Sequence, residues 1–498
     1  MQHFERNLYS AEQVGELDRR FIQGHGVPGF ELMGRAAEAA FQHIRRQWPH
    51  IRSLVAFCGP GNNGGDGFLI AKLALEAGLQ TTVYFLAKRE KSEGDALRAL
   101  QAYEEAGGNL SDFPAAMPDP ILTGADVIVD AIFGTGLGRD IEGRFHNAIT
   151  AINASQSGVF AVDIPSGLDA NTGKTWGIAV KAQATNTFIG RKLGLYTGAG
   201  PACAGEVEFC SLDAPAAVYI EQPKLGLVLS ADDVRQALQP RPRDTHKGSN
   251  GHLLCIGGNH GMGGAVRMAA EAALRTGAGL VSVATRSIHA SAMSQARPEL
   301  MCRGVDVAAD MESLLDAASC IAIGPGLGQD DWARALFART LDCKHTLVVD
   351  ADGLNLLAAE PVARGNWILT PHPGEAARLL GLSTPQIQAD RPAAVKELAK
   401  RYNAAVVLKG AGSLITVPNG ELWLCDAGNP GMAVGGMGDV LTGVIAALLA
   451  QGLTTIDAAR IGVYMHASAG DAASADGGQR GLLPTDLFPQ LRRIANPR

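Results

Sequence analysis

The stretch SLVAFCGPGNNGGDGFLIAKLALEAG (53–78) decides the fold of the first part of this chain. SLVAFC is a short apolar run bounded by turn residues, the pattern of a strand buried on both faces. The glycines of GPGNNGGDG end that run, and FLIAKLALEAG continues as a helix. Strand, glycine-rich turn and helix in that order open a βαβ unit. Gly59, Gly61 and Gly64 stand in GxGxxG spacing after the strand and before the helix, so backbone N–H groups there could meet a phosphate. No Lys-Ser/Thr pair follows, which argues against a P-loop. The next strand, TTVYFLA (81–87), runs into Lys88 and Arg89. A redox dinucleotide site would place an acidic residue there, so that reading is weakened.

Working outward, SAEQVGELDRRFIQ (10–23) and GFELMGRAAEAAFQHIRRQW (29–48) read as two helices before the strand. ADVIVDAIFG (125–134) and VFAVDIPSG (159–167) are further strands ending in turn residues. Strands alternating with helices predict a doubly wound α/β domain of Rossmann type, with ligands at the carboxyl ends of the strands. Three loops meet there, led by Asn63, Asp130 and Asp163-Ile164-Pro165-Ser166. Asn63, Asp130 and Ser166 carry hard oxygen donors of the kind a small hard cation accepts. Singly, such residues cap helices and turns. Capping alone does not require all three at strand ends of one sheet.

A Pro-containing, weakly patterned stretch at about 213–224 reads as the linker, giving domains 1–218 and 219–498. The second domain repeats the architecture with HLLCIGG (252–258), AVRMAAEAALRTGAG (265–279), CIAIGPGLG (320–328), TLVVDADGLN (346–355), WILTPHPGE (367–375) and AAVVLKGAG (404–412). It ends in NPGMAVGGMGDVLTGVIAALLA (429–450), where glycines clear a backbone path into an apolar helix. The N–H groups of that helix start form an anion hole, and Asp439 in the same turn could take a proton from a hydroxyl attacking a phosphoryl group.

The bulk composition excludes other classes. At 46% hydrophobic and 19% charged residues the chain is globular, and a net charge of −7 without a Lys/Arg tract argues against nucleic acid or an anionic membrane as partner. Eight cysteines are scattered without a CxxC pair, as expected of small buried thiols. Neither a secretory signal nor an apolar run of about 20 residues is present, so a cytoplasmic enzyme is expected.

NNGGDG (62–67), FGTGLGR (133–139) and VDIPSGLDANTG (162–173) resemble the NAD(P)H-hydrate epimerase family. HKGSNGHLLCIGG (246–258), GMGGA (261–265), GAGL (277–280), PEL (298–300), GPGLG (324–328), DADGLN (350–355), LTPHPGE (369–375), LKGAG (408–412) and GGMGDVLTG (435–443) resemble the ribokinase-like ADP/ATP-dependent NAD(P)H-hydrate dehydratases. The resemblance implies a bifunctional repair enzyme. One half inverts C6 of the hydrated nicotinamide ring of NADHX and NADPHX; the other dehydrates the S form at the expense of ADP or ATP. In the first half it implies substrate contacts from Asn62, Asn63, Gly64, Gly65, Asp66, Gly134, Thr135, Gly136, Leu137, Gly138, Arg139, Asp140 and Asp163. Potassium would sit on Asn63, Asp130 and Ser166, and Asp130 and Asp163 are the candidates for proton transfer. Lys192 in GRKLGLYTG (190–198) lies in a family-like segment with its role open. In the second half the resemblance implies that Ala265, Gly326, His372 and Asp439 contact the hydrate, with Asp439 the base. Lys409, Gly410, Ala411, Gly412, Ser413 and Gly438 would hold the nucleotide, with Mg²⁺ on its phosphates. Met437 stands where many relatives carry Ser or Thr. A homo-oligomer is implied as well. The competing reading is a small-molecule kinase fused to a dinucleotide-binding module, which would release a stable phosphorylated product.

Overall fold

Ser53–Cys58 forms the strand its apolar run predicts, and Asn62–Glu76 the helix behind it. The computed structural model describes residues 3–113 and 124–497. It divides into two compact units, Met1–Leu227 and Val228–Arg498.

In the first unit seven parallel strands lie in the order Leu110–Ser111, Gln80–Phe85, Ser53–Cys58, Val127–Ala131, Gly158–Val162, Ala184–Phe188 and Glu206–Cys210. The order reverses between Ser53–Cys58 and Val127–Ala131, which opens a crevice at their carboxyl ends. Leu54, Ala56 and Cys58 pack into one core while Val55 and Phe57 pack into another. That two-sided burial is why the strand reads as an unbroken apolar run. The Ala11–His25 helix is started by a Ser10/Gln13 capping box and buries Val14, Leu17 and Phe21.

The division falls between Leu227 and Val228 rather than at the expected 218/219. Val218 and Tyr219 are buried in the first unit's core, and the Tyr219 hydroxyl donates to the Ile189 carbonyl at 2.9 Å. Gly226 and Leu227 then pair antiparallel with Leu8 and Asn7. The stretch taken as linker is held by the first unit because its apolar residues have a core to fill.

In the second unit the strands run Met301–Gly304, Leu280–Thr285, His252–Ile256, Cys320–Ile323, Thr346–Val349, Trp367–Leu369 and Ala405–Leu408, all parallel. Ser413–Thr416 and Leu422–Cys425 add an antiparallel end. The segment 409–412 is therefore the turn of a hairpin and not a strand-to-helix loop. The Met437–Ala450 helix is almost wholly buried, as its apolar sequence requires. It packs on the Gly263–Thr276 helix so closely that a Cβ on Gly443 would lie 1.9 Å from the Ala269 carbonyl oxygen.

Among the described residues no helix is long and apolar enough to cross a membrane. All eight cysteines are free, five of them buried.

Candidate active sites

A cleft of about 1300 Å³ opens at the carboxyl ends of the first unit's strands. Asn62, Asn63, Asp66, Gly134, Thr135, Gly136, Leu137, Gly138, Arg139, Asp140 and Asp163 all line it. Gly64 and Gly65 do not. A Cβ on Gly64 would lie 1.9 Å from the Gly59 carbonyl oxygen, and one on Gly65 2.7 Å from Met33 Sδ. Gly64 lets the helix start close over the strand end and Gly65 lets the neighbouring helices approach it, with Asn62, Asn63 and Asp66 left on the cleft.

Asp163 follows the Gly158–Val162 strand in a left-handed conformation, φ 65°. For a non-glycine residue that costs roughly 1–3 kcal/mol, and it persists because the side chain is fixed on several sides. The Asp163 carboxylate pairs with Lys192 Nζ and accepts from Phe188 N at 3.1 Å. Lys192 is fully buried and also donates to Thr187 Oγ1 and the Phe188 carbonyl, each at 3.1 Å. Its role, open in the sequence, is that of the buried cation partnering Asp163.

Asp130, expected beside Asp163 as a proton-transfer group, is turned away from the cleft wall. It is fully buried and accepts from Ser166 Oγ at 2.6 Å, Ser166 N at 2.7 Å and Ile132 N at 3.3 Å. Burial raises its pKa to about 6, against the lowering effect of the Ser166 hydrogen bonds. The same loops bring in Asn63, whose amide nitrogen donates to the Phe133 carbonyl at 3.0 Å, while Ser166 Oγ donates to the same carbonyl at 3.3 Å. Asn63 Oδ1 is buried without a hydrogen-bond partner. An unpartnered amide oxygen, a hydroxyl and an uncompensated carboxylate form an all-oxygen set that suits a hard cation.

The sequence reading missed Asp18. It lies on the Ala11–His25 helix, one turn from the buried Val14, and lines the cleft. Its place beside an apolar stripe is the one signal the sequence offered, since a carboxylate there faces inward.

In the second unit Asp439 sits in the first turn of the Met437–Ala450 helix, half-buried. Asp350, at the end of the Thr346–Val349 strand, is buried and accepts from Lys409 Nζ at 2.6 Å and Thr442 Oγ1 at 2.8 Å. Lys409 Nζ also lies 3.8 Å from Glu375. Burial opposes the Lys409 charge, but Asp350 and Glu375 outweigh it and hold the ammonium above the ordinary lysine range. Burial and the Asp350 charge push Asp439 up to about 7, with Lys409 pulling the other way. A Cβ on Gly438 would lie 3.3 Å from Lys409 Nζ, so that backbone runs directly over the ion pair.

Ala265 and Gly326 are neighbours: a Cβ on Gly326 would lie 3.1 Å from that of Ala265. His372 caps the Pro373–Leu380 helix, its Nδ1 accepting from Gly374 N at 3.0 Å and its Nε2 lying 3.4 Å from Glu375. Burial and the nearby Lys409 charge lower its pKa below the ordinary histidine value. In the hairpin turn Ala411 is exposed and Ser413 Oγ donates to the Gly410 carbonyl at 3.1 Å. Met437 points into the core and is 6% exposed, so this position presents no side chain at the start of the helix.

Arg391 was not anticipated. It is buried and donates to the carbonyls of Leu408, Lys409 and Gly412 at 3.2–3.4 Å, which holds the hairpin turn from behind. Burial brings its pKa down to about 10. Among the described residues no three His, Cys, Asp or Glu side chains are grouped to hold a metal on their own.

Two family models match the chain. One, described as YjeF-related protein N-terminus, covers residues 29–194; the other, described as NAD(P)H-hydrate dehydratase, covers 253–493. The bifunctional NAD(P)H-hydrate repair enzyme Nnr of Coxiella burnetii is 48% identical over 490 residues, covering 98% of this chain and 99% of that protein. The protein of the same name from Escherichia coli is 42% identical, with 98% and 94% covered. A solved ribokinase-like superfamily protein from Enterococcus faecalis shares 31% identity at a TM-score of 0.50, covering 54% of this chain and 94% of that chain.

Proposed function

The chain belongs to the bifunctional NAD(P)H-hydrate repair enzymes, an epimerase half followed by a dehydratase half, and from that premise we propose which residues carry each reaction. The observation that supports the assignment is that each unit gathers its motif residues around one carboxylate paired to, or beside, a lysine: Asp163 with the buried Lys192, and Asp439 beside the half-buried Lys409.

In the epimerase half Asp163 takes and returns the proton of the C6 hydroxyl. Lys192 holds that carboxylate in place. The loops 62–66 and 134–140 hold the dinucleotide. Asn63, Asp130 and Ser166 hold potassium, which when bound supplies a fixed positive charge beside the cleft.

In the dehydratase half Asp439 accepts the C6 hydroxyl proton as that oxygen attacks the terminal phosphoryl group of ADP or ATP. Phosphate then leaves with the C6–O electron pair, a proton is lost from the neighbouring ring carbon, and the dihydropyridine is restored. Lys409, Gly410, Ala411, Gly412, Ser413 and Gly438 hold the nucleotide, and Ala265, Gly326 and His372 the hydrate. Mg²⁺ brought with the nucleotide would supply positive charge for the phosphoryl transfer. The homo-oligomeric state and the cytoplasmic location belong to the same proposal, on the family likeness.

Paired variants test the assignment. Asp439→Asn lowers dehydration some 10²–10⁴-fold and leaves epimerisation intact, and Asp163→Ala does the reverse. Loss of both activities in either variant would undo the two-site reading; unchanged epimerisation in Asp163→Ala would remove that residue from its site.

A further inference from the structure

Inversion at C6 needs two protonic groups, because a base that removes the hydroxyl proton leaves the breaking ring bond without an acid. Asp163 supplies the first, and Lys192 is engaged by Asp163, Thr187 and the Phe188 carbonyl. The cleft wall holds two further carboxylates near this pair, Asp66 at the start of the Asn62–Glu76 helix and Asp18 on the Ala11–His25 helix. Neither donates to nor accepts from any described residue, whereas Asp163 is fixed by a backbone N–H and the buried lysine. Three carboxylates thus share a cleft wall with one buried lysine, and two of them have oxygens free to meet a substrate.

We infer that Asp66 is the acid of the epimerisation and that Asp18 is the residue that tunes it. The inference rests on the assignment of Asp163 as the base. In ring opening, Asp163 takes the C6 hydroxyl proton and the O–H electrons form the C6 carbonyl. The bond from C6 to the ring nitrogen breaks toward nitrogen, and the Asp66 proton goes to that nitrogen. Rotation and the reverse steps close the ring on the other face and return both protons, so nothing is consumed. Burial, together with the charges of Asp163 and Asp18 against that of Lys192, holds the Asp66 proton far above the usual carboxylate range. Asp18 is itself raised to about 6, by burial and Asp163 against Lys192. The groups facing the two acids are Lys192, Asp163, the Cys58 thiol and the Tyr219 phenol, and Asp95, Arg139, Asp140 and Glu142 also line the wall.

The test is the pH profile of kcat/KM for epimerisation in the full chain, with hydrated NADPH as substrate. An acid must carry its proton to work, so activity falls on the alkaline side as Asp66 ionises. Asp18→Asn removes a neighbouring negative charge, and the alkaline limb moves to lower pH by about half a unit or more. Asp18→Glu restores it. Asp66→Asn loses at least about 100-fold in kcat and keeps the KM within a few-fold, as removal of a general acid should. Thermal melting of each isosteric variant checks that the first unit stays folded. An alkaline limb unmoved in Asp18→Asn, or an Asp66→Asn variant of near-normal kcat, overturns the inference while leaving Asp163 in place. Normal epimerisation in Asp163→Ala would instead overturn the reading beneath it.

Discussion

Asp439 can act as a base only when ionised, and its burial beside Asp350 keeps the proton on until about pH 7. Its folded pKa lies above the ordinary value, so the competent form is full above that pH and is lost as pH falls through it. Dehydration kcat/KM is therefore expected to fall about tenfold per pH unit below that point, and Asp439→Asn to give a flat profile some 10²–10⁴-fold lower. In the first unit the telling atom is Asn63 Oδ1, buried and unpartnered next to Ser166 and Asp130. If potassium fills that set, it stabilises the folded unit by mass action. Melting temperature should then rise with potassium chloride over equimolar choline chloride, and Asn63→Ala should lose the difference; an equal rise in both salts would argue against the site. At this scale Asp439 and Asn63 were legible because glycines marked their loops. Asp18 and Arg391 were not, because an acid inside a helical pattern and an arginine after a cap look like solvated residues until tertiary packing sets one on the cleft wall and buries the other.

The hairpin turn 409–412 shows how one element depends on another. Its backbone carbonyls converge on Arg391, which enters from the Arg391–Tyr402 helix, and Gly410 at φ 140° brings its backbone within reach of that guanidinium. Arg391→Met keeps much of the volume but removes the donors. It should raise the nucleotide KM about tenfold, the worth of one charge-assisted hydrogen bond, with kcat changed little. A pure stability loss with unchanged KM would contradict a positioning role. The strands and helices of the two sheets could be read from periodicity, since strands buried on both faces give unbroken apolar runs. The hairpin could not, because AAVVLKGAG ends like every other strand and only the return strand Ser413–Thr416 shows that it turns back.

Each unit carries its own hydrophobic core and its own set of motif residues, which is the physical ground for two separable reactions on one chain. The boundary was misplaced because composition marks where patterning weakens, whereas the real division depends on which core takes Val218 and Tyr219. The pairing of activities has a chemical logic: the dehydratase consumes one C6 epimer, and the epimerase supplies it from the other. The direct test is to give the purified full chain a mixture of both hydrates with Mg²⁺, potassium and ADP or ATP, and follow the near-ultraviolet absorbance of the restored dihydronicotinamide. A nucleotide-dependent rise that continues until both epimers are consumed is the predicted result. A rise that stops when the S form is spent, or a stable phosphorylated product with no rise, would contradict it.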